Sequence, residues 1–403
     1  MLKCQTRYFS NSILRFAKKK YKKADPVFLG RSSNNLSLGV VGLANVGKST
    51  FFQSLTKSKL GNPANYPYAT IDPSESYATT ENKRLDTLAE VYQTQKCTGA
   101  RLKVIDIAGL TKNAASGEGL GNKFLSDIRQ VDGIFHLVRA FVDEGISHVE
   151  GNQVDPLRDI IIVTEELILK DIEFVEKGIE ENRKLLKKPY TNKGEIENEL
   201  ELLGRLQDLL YDSKKVSMGN WSMKEIEIIN RFNFLTAKPT VFLLNVSEND
   251  YIRQESEFLR DVEIWLHKNF PKDELVMFSA RYESMLDKEE REPYMASYPP
   301  SAMPLIFEKM KKALQLISFY TCGHQECREW FIRKGSSVVK AAGLIHTDLE
   351  KTFISAQVFK YNDVCKNSSR VPEKPLKLLK YGKNYCPEDN DIIIIEAAKG
   401  RSR

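Results

Sequence analysis

The sequence predicts an α/β fold in which a mostly parallel sheet is covered by helices on both faces, with an inserted helical hairpin and a smaller C-terminal α+β module. Three observations lead there. Short apolar runs at Leu36 to Gly42, Arg101 to Ile107, Gly133 to Val138, Thr240 to Val246 and Leu275 to Ala280 alternate with helical patterns, the rhythm of strands joined by crossover helices. Between Ile160 and Leu210 the text turns to long charged stretches, EELILKDIEFVEKGIEENRKLLKK and EIENELELLGRLQDLL, broken at Pro189-Tyr-Thr-Asn-Lys-Gly194. From Leu316 onward short strands with turns take over.

The first run ends in glycines and leads through Asn45-Val46-Gly47-Lys48-Ser49-Thr50 into Phe51, Phe52 and Leu55 at helical spacing. This is strand, loop and helix, and Gly42 to Ser49 fits the phosphate-loop pattern G-x-x-x-x-G-K-[ST] in the context it requires. Backbone N–H groups around such a loop point inward at a phosphate, the glycines permit close approach, and the helix presents its positive end. Lys48 then reaches the β and γ phosphates while Ser49 ligates Mg²⁺. The second run carries Asp106-Ile-Ala-Gly109 at its end, an acid placed beside the metal and a glycine N–H facing the γ-phosphate. Thr70, in Asn65-Tyr-Pro-Tyr-Ala-Thr-Ile-Asp-Pro73, is placed to close over Mg²⁺ as a switch threonine.

Apolar residues at spacings of three and four in the charged stretches predict an antiparallel helical hairpin, a solvated arm or a docking arm for a larger partner. Strands at Glu329 to Ile332, Phe353 to Phe359 and Asp391 to Glu396, with a turn at Ala341-Ala342-Gly343, predict the C-terminal module. These changes of pattern place a basic arm at residues 1–34, a nucleotide-binding domain at 35–142 and 236–314, the helical arm at 143–235 and the last module at 315–398.

The net charge of +6 over 403 residues does not describe the body of the chain. Eight basic residues, Lys3 to Lys23, precede the first acid, Asp25; the other 52 nearly match the 54 acids. A general polyanion-binding surface is therefore not implied. The arm MLKCQTRYFSNSILRFAKKKYKK is basic, acid-free and hydroxylated, and Arg7-Tyr8-Phe9-Ser10 resembles a matrix-protease context, so mitochondrial import is expected, with a cytoplasmic protein as the alternative. No apolar run approaches the roughly 20 residues that span a bilayer. Six scattered cysteines without a secretory signal indicate a reducing compartment. Cys322-Gly-His324-Gln-Glu-Cys327 lacks a second ligand pair at zinc spacing and reads as structural thiols.

The base-reading position is informative. A guanine-selective protein of this kind carries Asn-Lys-x-Asp after the strand at Thr240 to Val246, and here the text is Asn245-Val246-Ser247-Glu248. The stacking Lys has become Val and the acceptor Asp has become Glu248, so adenine should be tolerated or preferred.

The runs NYPYATIDP, DIAGLTKNAASGEGLGNKFLSDIRQVDGIFHLVRAF, HVEGNQVDP, NFLTAKPT, NVSENDYIR and AAGLIHTDLEKTFISAQVFKY resemble the Obg-like ATPase (YchF) family of P-loop proteins over roughly Leu36 to Glu396. The resemblance implies an Obg-type G domain, an inserted helical arm and a C-terminal TGS module. It implies ATP hydrolysis preferred over GTP, Asn245, Val246 and Glu248 on the base side, and Phe124 packing nearby. A ribosome or translation complex is the implied partner; the oligomeric state is left open. Family members lack the glutamine that orients water in Ras-like proteins, and Leu110 stands in that place. His136, in Ile134-Phe-His-Leu-Val138, matches a histidine proposed for catalysis, with a packed core residue as the other reading. Asn45 matches an asparagine that can ligate K⁺. The sequence departs from the family at Ala44, where proline is usual, in a shortened Ser368 to Lys380, and at Asn384 to Asp391, where a D-G-D turn is common. A GTP-selective switch and an ATP-binding scaffold with negligible turnover are the alternatives.

Overall fold

The computed structural model describes residues 28–30, 36–57, 75–79, 82–107, 120–143, 153–189, 192–287, 298–366 and 379–398. Among the described residues, twelve strands run in chain order through β1 (Ser37–Val41), β2 (Glu75–Thr79), β3 (Lys96–Thr98), β4 (Arg101–Asp106), β5 (Gly133–Ala140), β6 (Thr240–Val246), β7 (Glu274–Phe278), β8 (Leu316–Cys322), β9 (Glu326–Arg333), β10 (Phe353–Lys360), β11 (Leu379–Tyr381) and β12 (Asp391–Ala397).

The first sheet has the order β2-β4-β1-β5-β6-β7, parallel throughout except for the β2–β4 edge pair. Strands β1, β5 and β6 are buried along their whole length, which their unbroken apolar text anticipates, since helices cover both faces of a parallel sheet. On one face Phe51 of the helix Lys48–Lys57 meets Phe135 and Phe278 edge-on at 5.5 and 5.3 Å. Leu38, Val40, Phe242, Leu244 and Ile306 lie in the same core.

The helical arm consists of Pro156–Leu186 and Lys193–Tyr211, followed by Met223–Phe232. Asp155 caps the first helix by accepting from Arg158 N, and Pro156 sits in its first turn, where no N–H is missed. Its N-terminal half is not a solvated surface: Ile160, Val163 and Leu167 belong to the core of the first sheet. Farther along, Ile168 and Val175 join Leu203 and Leu206 of the second helix in a core of their own. Asp171, fully buried between the two, accepts from Leu235 N and Thr236 N at 2.8 Å and from Thr236 Oγ1 at 2.7 Å. Of the basic arm only its end is described, where Asn230 bridges Gly30 N and the Phe28 carbonyl.

The second sheet has the order β11-β10-β12-β8-β9-β3. Its last strand comes from the range that the sequence assigns to the nucleotide-binding domain. Lys96–Thr98 pairs in parallel with Glu326–Arg328, and Leu85 and Leu88 of the helix Lys83–Val91 pack on Tyr320, Cys327 and Ile392. One local expectation also changes. Ala341-Ala342-Gly343 lies inside a helix, Val338–Ile345, with both alanines buried. At the position of the family's D-G-D glycine, Asn390 adopts φ +68°, a left-handed conformation that asparagine tolerates better than most side chains.

Replacing Asp171 by Ala leaves two buried N–H groups and a hydroxyl without an acceptor. The loss should be on the order of 3 kcal/mol, read from urea denaturation followed by circular dichroism.

Candidate nucleotide site

The loop between β1 and the helix Lys48–Lys57 has a backbone that its residue types dictate. Gly47 stands at φ +97°, and a Cβ there would lie 2.5 Å from Asn245 Nδ2. A Cβ on Gly42 would lie 2.4 Å from the Leu137 carbonyl oxygen. Asn45 takes φ +63° between them. Val46 is buried, so only its backbone faces a ligand.

A cavity of about 780 Å³ opens beside this loop, lined by Asn45, Gly47, Lys48, Ser49 and Thr50 on one side and by Asn245, Val246 and Glu248 on another. That size suits a small-molecule ligand. Lys48 Nζ donates to the Leu43 carbonyl at 2.7 Å. Burial pulls its pKa down to about 8, and the nearby Asp106 carboxylate only partly offsets this. Ser49 Oγ donates to Asp106 Oδ2 at 2.9 Å in a solvent-exposed position. An adjacent hydroxyl and carboxylate offer hard oxygen donors and leave room for water and phosphate oxygens, which fits the preferences of Mg²⁺.

Asn245 ties the site together from the end of β6. Its Nδ2 donates to the Val46 carbonyl and its Oδ1 accepts from Ala280 N, both at 2.9 Å. Glu248 faces Arg281, with Oε2 3.8 Å from Nε. A wall that the sequence reading missed is Phe141 to Asp143. The buried Arg139, at the end of β5, donates to the carbonyls of Phe141 and Asp143 and lies 4.7 Å from the centre of the Phe141 ring. The available signal was an arginine inside an otherwise apolar strand.

Two expected site residues are not brought to the cavity. Since Phe135 faces the helix Lys48–Lys57, strand alternation turns His136 to the opposite face of the sheet. There it packs 4.9 Å from the centre of Phe242 and near Lys215, and burial with that cation lowers its pKa to about 3. Lys215 forms a buried pair with Asp273 at 2.5 Å. A neutral core imidazole on that face cannot meet the phosphates, which corrects its catalytic assignment. Phe124 is likewise buried in the core beneath the sheet and does not line the cavity. Thr70 and Gly109 lie outside the described residues.

Sheet order, phosphate loop, adjacent Ser49–Asp106 pair and base-side Asn245 define a P-loop nucleotide-binding protein of the GTPase class. A family model described as a 50S ribosome-binding GTPase matches residues 37–173, and a YchF-GTPase C-terminal model, described as a protein of unknown function, matches 316–398. An Obg-like ATPase homolog of Saccharomyces cerevisiae is 46% identical over 93% of this chain and 97% of its own. The Obg-like ATPase 1 of Homo sapiens is 43% identical over 92% and 94%. A solved structure of the Schizosaccharomyces pombe YchF GTPase superposes with a TM-score of 0.81 at 42% identity, covering 92% of this chain and all of that one. The chain belongs to the Obg-like ATPase (YchF) family.

Two outcomes follow from this geometry. Because Lys48 binds phosphate as an ammonium and its free-state pKa is near 8, affinity for ATP should fall by up to about tenfold between pH 7 and 9; titration calorimetry at the two pH values reads it. Asn245→Asp turns a carboxylate oxygen onto the Val46 carbonyl, and should weaken ATP by on the order of 2 to 3 kcal/mol in the same titration.

Proposed function

We propose that the protein is a slow ATP-hydrolysing switch, with GTP the weaker substrate. The observation that carries the base preference is the replacement of the guanine acceptor. Guanine selectivity needs a carboxylate free to accept from N1–H and N2–H₂, whereas Glu248 is one methylene longer than Asp and faces Arg281. Val246 puts an aliphatic side chain where lysine would stack. These features relax the demand for guanine and admit adenine. The alternative of a GTP-selective switch keeps one support, the Asn245 bridge between loop and base side.

Ser49, Asp106 and Thr70 would hold Mg²⁺, which when bound supplies positive charge to the phosphate oxygens. The chain's own contribution is Lys48, whose ammonium is largely buried and held against the Leu43 carbonyl, together with the N–H groups at the start of its helix. Asn45 lines the cavity, and we assign to it the part of favouring K⁺ there. With Leu110 where a water-orienting glutamine would stand, turnover should be slow without a partner. We take that partner to be a ribosome or translation complex, since the nucleotide-binding part matches a family model with that description. The basic arm supports action in the mitochondrial matrix.

Purified protein should release phosphate from ATP in the presence of Mg²⁺, and Lys48→Ala should reduce that release at least a hundredfold, as expected for losing a transition-state cation. Excess GTP should displace labelled ATP poorly. Equal turnover by Lys48→Ala would defeat the reading, and displacement by GTP at lower concentration than ATP would favour the guanine alternative.

A further inference from the structure

Four of the six cysteines converge where the C-terminal sheet meets the segment 82–98. Cys322 ends β8 and stands directly opposite Cys327 of β9, and Cys327 is in turn the register partner of Cys97 in β3. Cys365, in the helix Tyr361–Lys366, joins Cys322 and Cys327 in one apolar cluster with Leu85, Leu88 and Tyr320. A row of thiols on three neighbouring strands is not what scattered structural cysteines produce.

The ladder defines the spacing of the first pair. Gly323 N donates to the Glu326 carbonyl at 3.1 Å, and at the far end of the hairpin Lys334 N donates to the Gln315 carbonyl at 2.9 Å. Hydrogen-bonded and non-hydrogen-bonded pairs alternate along an antiparallel ladder, so Cys322 and Cys327 occupy a non-hydrogen-bonded site, where Cα atoms stand about 4.5 Å apart. That separation lies in the range of roughly 4.4 to 6.8 Å that a disulfide bridges. Cys327 stands near enough to raise the pKa of the Cys322 thiol. Among the described residues no group of three potential ligands is close enough to hold a metal ion.

We propose that Cys322 and Cys327 are an oxidisable pair that closes to a cross-strand disulfide when the protein meets a hydroperoxide. One thiol gives up its proton and attacks the peroxide oxygen, forming a sulfenic acid and releasing water or alcohol. The second sulfur then displaces the hydroxyl as water, so two thiols lose two hydrogens, the S–S bond forms and the O–O bond is reduced. The neighbouring Cys327 thiol and burial hold the Cys322 thiol protonated, which slows its oxidation until a proton is lost. The new bond pins the hairpin edge to which β3 is hydrogen-bonded, and through it the segment 82–98 that separates β2 from β4.

The test uses the full chain treated with hydrogen peroxide, alkylated after denaturation and digested with trypsin without reduction. The peptide Ala313–Arg328 carries Cys322 and Cys327 and no other cysteine. The expected product is that peptide unalkylated and lighter by two hydrogens, restored to a doubly alkylated form by prior reduction. Cys327→Ser and Cys322→Ser should each abolish it and leave the remaining thiol alkylated. Double alkylation after peroxide, a sulfinic or sulfonic product in place of the bridge, or a link from either thiol to Cys97 or Cys365 would each overturn the assignment.

Discussion

The side-chain amide of Asn245 is the constraint on which the nucleotide site depends. It leaves the end of β6 with one donor and one acceptor, and both are used inside the protein, on the Val46 carbonyl and on Ala280 N. Three separate chain segments, the phosphate loop, the end of β6 and the turn after β7, are thereby held at fixed spacing. The bond also explains Gly47: with Asn245 Nδ2 only 2.5 Å from where a Cβ would stand, every other residue would push the amide off the carbonyl. A buried amide that lost one partner would leave a polar group unsatisfied at a cost of about 1 to 3 kcal/mol, so glycine and asparagine constrain each other. The loop's shape is thus fixed by the protein's own bonds, which lowers the ordering cost of binding.

A second constraint joins the two sheets. The chain leaves β2, folds its next helix and β3 onto the C-terminal module, and returns through β4 to Asp106. Asn82 donates to Tyr320 Oη and to Glu329 Oε1, and Glu329, itself buried, accepts from Ser318 Oγ. The segment is thus held by a strand ladder, an apolar patch and a buried polar network at once. Since both its ends feed strands of the first sheet, a displacement of β2 against β4 must be absorbed within residues 80–100 or passed to the C-terminal sheet.

What the sequence disclosed followed the range of the interactions involved. Buried parallel strands need continuous apolar text, so β1, β4, β5, β6 and β7 were legible, and the phosphate loop was legible because phosphate geometry fixes its spacing. Lys96–Thr98 was not, because a three-residue strand takes its identity from Glu326–Arg328, more than two hundred residues away. His136 shows the same limit from the other side. Its neighbours announced a buried strand, but which face it occupies depends on Phe135 packing against Phe51, a tertiary choice that no motif records. The cysteines looked scattered for this reason too, since only the sheet register puts Cys97, Cys322 and Cys327 in a row.

Charge at this site works by local geometry and not by the field of the whole molecule. Outside the basic arm the chain is almost neutral, so long-range steering of a polyanion contributes little. The attraction must come from local groups such as Lys48 and the amides at the start of its helix, and each gains strength from being partly removed from water. The lowered pKa of Lys48 records the cost of that removal in the absence of phosphate. A triphosphate would reverse the balance, because a buried ammonium is favoured among phosphate oxygens where the Leu43 carbonyl and the nearby Asp106 carboxylate only partly offset its burial. The buried lysine therefore favours a ligand bearing several negative charges at loop distance over a neutral nucleoside of the same shape.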